Sequence, residues 1–367
     1  MVVNVGIIGC GNISAAYLRT IQAFNVLNCV ACADLMLERA EARAAEFDVP
    51  RACTPAELLA DPNVEIVINL TTPQAHKEIS LAALRAGKHV FTEKPLAVTP
   101  ADGAEIVAEA NRLGLRLGCA PGTPLGGGLQ TCRKLIDEGA IGAPVACAAF
   151  MMSHGHESWH PDPAYYYQVG AGPMFDMGPY YLTALTTLLG PIAEISATAG
   201  IQIGERVITS QPKHGERITV ETPDHVTGSF RFANGAIGTI ITTFAVWRST
   251  LPRIEIYGTE GSLSVPDPNS LGGPVRLARA GDAEWTEVPL SHGHADGRSY
   301  WGIGVADMAH AILGDRPHRI TGAQGYHVLE CMQAFLDASA AGQTRRIASS
   351  FARPAPLPQG LPEDALD

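Results

Sequence analysis

"VGIIGCGNIS", residues 5–14, decides the fold of the first half of this chain. The apolar run from Val3 to Ile8 reads as a strand, a helix is expected from Ile13 to Phe24, and Gly9 and Gly11 stand between them. The first glycine permits a tight turn and the second lets backbone approach a pyrophosphate. The helix N-terminus adds amide donors and the positive end of a dipole. Ser14 takes the place of a third glycine and is small enough for the helix to pack closely on the strand. A lone G-x-G-x-x-S is weak evidence. Here it opens a β-α-β unit, and Asp34 ends the next strand about 20 residues on, within reach of the ribose hydroxyls. The pattern predicts a dinucleotide site built on Gly9, Gly11, Asn12, Ile13 and Asp34. The Asp34 carboxylate accepts from free ribose hydroxyls and repels a 2′-phosphate, and no Arg or Lys follows it before Arg39, so NAD is expected in preference to NADP.

Outward from this turn, strands and helices alternate to residue 119, with strands at 27–33, 65–70, 89–92 and 116–119 separated by helical stretches. Repeated β-α units with continuously apolar strands predict a doubly wound parallel sheet covered on both faces. "CAPGTPLGGG", residues 119–128, breaks the pattern and marks a boundary, giving domains at 1–122 and 123–367. The second domain reads as α+β. A helix over Phe175–Leu189 precedes "HVTGSFRFANGAIGTIITTFAVW", in which Asn234-Gly235 has the form of a type I′ hairpin turn, and two helices and a proline-rich tail follow. The expected sheet is open and mostly antiparallel. Its uncovered face would favour a homodimer or homotetramer.

A net charge of −11 without a basic run gives no footprint for nucleic acid. No window reaches the ~20 apolar residues of a membrane span and no leader-like segment opens the chain, so a cytoplasmic location is expected. The eight cysteines read as reduced core residues. Cys29 and Cys32 form C-x-x-C, but three apart in a strand they should point to opposite faces.

In a doubly wound sheet, ligands sit beyond the carboxyl ends of the strands. Thr71, Thr72 and Pro73 follow one such end and Glu93-Lys94 another, which brings Lys94 towards a nicotinamide. At this point the chain resembles the glucose-fructose oxidoreductase, inositol dehydrogenase and MocA family. The resemblance rests on Gly9-Cys10-Gly11-Asn12-Ile13, Thr72-Pro73 with His76, Ala86-Gly87-Lys88-His89-Val90 leading into Glu93-Lys94-Pro95-Leu96-Ala97, and Gly258-Thr259-Glu260-Gly261. It covers nearly the whole chain and implies a Rossmann domain, an open-sheet α+β domain used in oligomerisation, and NAD(P)-dependent chemistry, mostly on sugars and cyclitols. It also implies that Lys94 meets both cofactor and substrate hydroxyl. An ammonium there stabilises a developing alkoxide, a nicotinamide cation would lower its pKa, and Glu93 would offset that by pairing.

Asp176 and Tyr180 stand four apart, one helical turn, near a helix start. The family commonly carries Asp and His at this spacing; here the second position is Tyr. We expect Tyr180, with Lys94 as the cation that depresses its pKa, to exchange the proton and Asp176 to orient the substrate, with Tyr181 an alternative to Tyr180. "SHGHESWHPDPAYYYQ", residues 153–168, is the expected substrate loop, with Trp159 and Tyr166 as aromatic faces and His156 and His160 bonding hydroxyls. No carboxylate-backed helical His pair supports a metal, so none is expected. The expected activity is hydride transfer between NAD and a ring carbon of a sugar, glycoside or cyclitol. The alternatives are a dinucleotide-binding sensor without turnover and a sugar-sugar oxidoreductase with tightly bound cofactor.

Overall fold

The computed structural model describes residues 1–367. Its first half alternates β1 (Val3–Ile8), α1 (Ser14–Ala23), β2 (Leu27–Ala33), α2 (Leu37–Glu46), β3 (Ala52–Cys53), α3 (Pro55–Ala60), β4 (Ile66–Asn69), α4 (Pro73–Arg85), β5 (His89–Thr92), α5 (Pro100–Leu113) and β6 (Leu117–Cys119). The six strands form one sheet in the order β3-β2-β1-β4-β5-β6, and every pairing in it is parallel. All four residues of β4 are buried, as expected for a strand covered on both sides. The expected doubly wound sheet is present. β3 and α3 are additions to the sequence reading, although Thr54-Pro55-Ala56-Glu57 carries their signal: Thr54 and Glu57 form a reciprocal capping box.

β2 corrects the reading of Cys29 and Cys32. Val5 pairs with Cys29 but Gly6 pairs with Ala31, so a bulge absorbs Val30 and Cys32 falls opposite Ile7. One extra residue turns a three-residue spacing into a same-face one. Cys29, Cys32 and Cys10 accordingly share one buried cluster.

The chain continues through α6 (Gly127–Asp137), β7 (Pro144–Met152), α7 (Gly172–Asp176), α8 (Gly178–Leu189), β8 (Ile192–Gly200), β9 (Glu205–Val207), β10 (Arg217–Thr219), β11 (His225–Phe232), β12 (Ile237–Thr243), β13 (Ile254–Gly258), β14 (Gly261–Val265), β15 (Val275–Arg279) and β16 (Thr286–Val288). It ends with α9 (Gly297–Tyr300), α10 (Ile303–Leu313), α11 (Gly322–Ala341) and β17 (Arg345–Arg346). Nine strands build the second sheet in the order β16-β15-β14-β13-β7-β12-β11-β8-β17, and only β7 with β12 is parallel. The expected open, mostly antiparallel sheet is thus observed. The β11–β12 hairpin departs from the type I′ reading, since Gly235 has a φ of 94° but Asn234 does not enter the left-handed region. The Phe232 amide instead bonds to the Ala236 carbonyl around a longer loop, and Asn234 caps it by accepting from the Ala236 amide.

Two buried clusters hold the molecule together. One contains Val5, Ile7, Tyr17 and Ile68 together with Tyr300, Ile303, Met308 and Leu366, so α9, α10 and the tail return to cover one face of the first sheet. The other runs from Ile8, Val67 and Val90 of the first sheet to Leu329 and Phe335 of α11 and on to Ile195 and Ile240 of the second. No helix is long and apolar enough to cross a membrane.

Candidate active site

The dinucleotide turn has the geometry its glycines require. Gly9 has a φ of 102°, and a Cβ there would lie 2.7 Å from the Leu70 carbonyl oxygen. A Cβ on Gly11 would meet nothing within 4 Å. The space above Gly11 belongs to a cavity of about 500 Å³ lined by Cys10, Gly11, Asn12, Arg39, Ala42, Arg43 and Glu46. A side chain at 11 would project into it, which is the cradle a pyrophosphate needs. Ser14 is fully buried and donates to the Gly11 carbonyl at 2.6 Å, so it closes the turn in place of a third glycine. Ile13 precedes α1 and is half-buried. Asp34 accepts from the Cys10 amide at 2.8 Å through Oδ2 and from the Met36 amide at 2.9 Å through Oδ1, which fixes its carboxylate beside the turn. Each oxygen keeps acceptor capacity for a ribose hydroxyl. The residues therefore fit a bound dinucleotide.

At the end of β4, Thr71 donates through its hydroxyl to Asn69 Oδ1 at 2.7 Å, Thr72 is exposed at the start of α4, and Pro73 opens that helix. His76 sits behind this edge, fully buried. Its Nδ1 lies 2.7 Å from the Pro95 carbonyl and its Nε2 3.1 Å from the Thr71 carbonyl. It joins the two loops and leaves no ring nitrogen for a cofactor.

Beyond β5 the Lys94–Pro95 peptide is cis. Lys94 Nζ donates to the Asp176 carbonyl at 2.7 Å and lies 3.0 Å from Asp176 Oδ1. Glu93 does not pair with this ammonium as expected. It accepts from the fully buried Tyr17 hydroxyl at 2.8 Å and from the Lys94 amide at 2.9 Å. Burial disfavours the Lys94 ammonium, but Asp176 outweighs it and holds the pKa above the usual lysine value. Burial likewise works against the Asp176 carboxylate, and Lys94 with His156 overrides it, holding the group well below the usual carboxylate range. The two form an ion pair.

Asp176 and Tyr180 reach this centre from two helices, because Pro179 lacks an N–H and ends the continuity expected over 175–189. The Tyr180 ring presents its face to Lys94, with Nζ 5.2 Å from the ring centre, and the hydroxyl takes no hydrogen bond within the chain. Burial pushes the phenol up and Lys94 only partly counters this, so the group stands above the usual tyrosine value rather than below it as expected. Tyr181 points elsewhere, its hydroxyl 3.4 Å from the Phe150 carbonyl on β7.

The loop between β7 and α7 delivers one side chain to the ion pair: His156 Nε2 lies 3.2 Å from Asp176 Oδ2, opposite Lys94. Its ring stacks on Tyr166 at 3.7 Å and meets Phe244 edge-on at 4.8 Å, and Nδ1 is buried without a partner. Trp159 lies 5.2 Å from the same ring but is 62% exposed at the rim. His160 is half-buried, its ring edge-on to Tyr165 and Tyr166 and its Nδ1 accepting from the Asp162 amide at 3.1 Å. The other histidines are not gathered here, since His154 stacks on Trp247, and His292 and His294 face the carbonyls of Leu357 and Glu363 in the tail. No group of three His, Cys, Asp or Glu side chains is placed to hold a metal ion.

Tyr17, Arg43, Glu157 and Arg206 escaped the sequence reading. Arg43 carried a signal, four residues after Arg39 on the helix that follows Asp34; the others meet their partners only through long-range contacts.

A dinucleotide cradle beside a buried lysine-carboxylate pair defines an NAD-binding oxidoreductase. Residues 3–120 match the family model described as an oxidoreductase family with an NAD-binding Rossmann fold, and residues 129–264 match the GFO/IDH/MocA C-terminal domain. The chain belongs to the GFO/IDH/MocA family. It is similar to a 1,5-anhydro-D-fructose reductase of Ensifer adhaerens, with 29% identity over 84% of this chain and 88% of the relative. A myo-inositol 2-dehydrogenase of Thermotoga maritima is 24% identical over 71% of this chain and 74% of its own. The fold is that of a levoglucosan dehydrogenase solved in complex with NADH, with a TM-score of 0.81, 23% identity and coverage of 95% of this chain and 100% of that one.

Proposed function

We propose that this protein is an NAD-dependent dehydrogenase or reductase that interconverts C–OH and C=O at a ring carbon of a sugar, glycoside or cyclitol. The observation that carries this reading is the Lys94–Asp176 pair at the carboxyl end of the first sheet, with the Tyr180 ring against it. The names of the relatives, an anhydrofructose reductase and an inositol dehydrogenase, support a ring hydroxyl or ketone as the substrate group. The Gly9–Gly11 turn would hold the pyrophosphate of the dinucleotide, whose nicotinamide would supply the hydride acceptor or donor. Lys94 offsets charge developing on the substrate oxygen, Asp176 orients the hydroxyl, and Tyr180 gives or takes its proton. Tyr180→Phe should lower kcat and reshape its pH profile. An unchanged profile would leave Tyr180 as packing for Lys94.

The Asp34 carboxylate, held by the Cys10 amide beside the glycine turn, supports NAD over NADP, and the opposing feature is the pair of cations Arg39 and Arg43 that line the cavity over Gly11. Asp34→Ala is expected to weaken NAD while sparing or improving NADP, read from the two Kd values; equal losses would contradict the ribose assignment. Eight buried free thiols suit a reducing, cytoplasmic setting. Ile237, half-exposed, and Ile241 lie on the face of β12 opposite the buried Ile240, and they support a homodimer or homotetramer through that face of the open sheet.

The test is reduced-nicotinamide absorbance with NAD or NADP and a panel of hexoses, glycosides, sugar acids and inositols, or with the corresponding ketones and NADH. A signal confined to one substrate group supports the reading. Cofactor binding without turnover in either direction across the panel would overturn it in favour of a sensor.

A further inference from the structure

Arg206 lies on β9, in a two-stranded ribbon outside both main sheets, yet its side chain is only 2% exposed. Its Nη1 is 2.8 Å from both the His154 carbonyl and Glu157 Oε1, and its Nη2 is 2.9 Å from Asp224 Oδ2. The guanidinium also lies over Tyr167, 5.0 Å from the ring centre, and the Tyr167 hydroxyl accepts from the His156 amide at 3.2 Å. Apart from Asp224, these contacts converge directly or through Tyr167 on one short piece of chain. The carbonyl of 154, the amide of 156 and the carboxylate of 157 are each held, and the Glu157 carbonyl accepts from the amides of Thr209 and Ser210 at 2.9 Å. Gly155 allows this grip: its φ is 97°, and a Cβ there would collide with the Tyr167 hydroxyl.

A guanidinium and two carboxylates taken out of water carry a large desolvation cost, and such clusters rarely stabilise more than apolar packing of the same volume. Stability is therefore a poor account of this one. What the cluster fixes is the place of His156, the single residue between the gripped groups that touches the Lys94–Asp176 pair. We propose that Arg206 is a positioning residue of the active site: through Glu157 and Tyr167 it holds His156 against Asp176, so that the carboxylate is bracketed by an imidazole on one oxygen and the Lys94 ammonium on the other. A carboxylate held on both sides cannot swing away from the substrate hydroxyl it is to orient. This inference rests on the proposed reaction at Lys94 and Asp176, but its geometry can be tested without a substrate.

The experiment uses the full chain carrying Arg206→Met, with Glu157→Gln as the milder variant that keeps Arg206 paired to Asp224. Imidazole ¹⁵N signals of histidine-labelled protein, with His156 assigned through His156→Gln, report its tautomer and surroundings. Both variants should move the His156 signals towards those of a free imidazole and lower kcat about 10- to 100-fold, with the Kd for NADH unchanged. Adding His156→Gln to Arg206→Met should cost much less than His156→Gln does alone. Unmoved His156 signals, or fully additive losses, in either folded variant would overturn the proposal. If Arg206→Met does not fold, Glu157→Gln decides. Failure of the wild-type chain to turn over any substrate would count against the dehydrogenase reading, and the imidazole signals would still decide this one.

Discussion

Lys94→Ala is expected to lower turnover by about three orders of magnitude while NADH binding stays measurable. The loss follows from the site's electrostatics. The Lys94 ammonium is the only cation paired with Asp176 apart from any charge on His156, and removing one preorganised group that meets a developing oxyanion costs about 10²- to 10³-fold. Deletion also leaves a carboxylate facing a site that cannot neutralise it. Binding survives because the Gly9–Gly11 turn and Asp34 lie on other loops. Kinetics with the substrate found in the panel, beside a direct NADH titration, separate the two effects, and retained turnover would remove Lys94 from the mechanism.

The pair also has a pH signature. Asp176 is depressed in the folded chain, so its contribution is present above the unfolded value of about 3.9 and lost as pH falls through the folded one. Lys94 is raised, so its contribution is present below about 10.4 and lost as pH rises through its folded value. The pair therefore stabilises most between these limits, and Lys94→Ala should flatten both edges.

The largest loss of stability is expected from Asp307→Ala. Asp307 is fully buried on α10, where it meets Arg316 Nη2 at 2.8 Å and accepts from both the backbone amide and the guanidinium of Arg319. Removing it leaves the buried Arg319 with the Leu366 carbonyl at 3.3 Å and, as its only carboxylate, the partly exposed Asp367 at 3.4 Å. An uncompensated buried charge costs about 3–5 kcal/mol. The loss should appear as a lower urea midpoint with unchanged slope. A midpoint shift worth less than about 1 kcal/mol would mean that Asp367 and solvent carry the two arginines without it.

Local signals carried much of this molecule. The glycines of 9–14 and the apolar strands announced the first sheet, and the Glu-Lys-Pro stretch led to Lys94. What stayed hidden has physical causes. The bulge at Val30 changes the facing of Cys32 without any change in composition, because an unpaired residue is invisible until the partner strand is known. Pro179 opens the second helix, yet the apolar run across it concealed the break between Asp176 and Tyr180. The expected Glu93–Lys94 pair failed because Tyr17, 76 residues away, claims the carboxylate. His156 appeared as a substrate contact, but its approach to Asp176 depends on Arg206 and Asp224, which no spacing connects to it.

The cluster that joins the first sheet to α11 and the second sheet has a bearing on redesign. A chimera cut near residue 122 would have to match dozens of interlocking side chains from two parents, and mismatched volumes there are felt even at the scale of a methylene. Grafting the rim between residues 153 and 168 while leaving Gly155, His156, Glu157, Ala164, Tyr166 and Tyr167 in place keeps the side chains of that segment that touch the seam. New specificities are therefore better sought by exchanging loops in this scaffold than by recombining its halves.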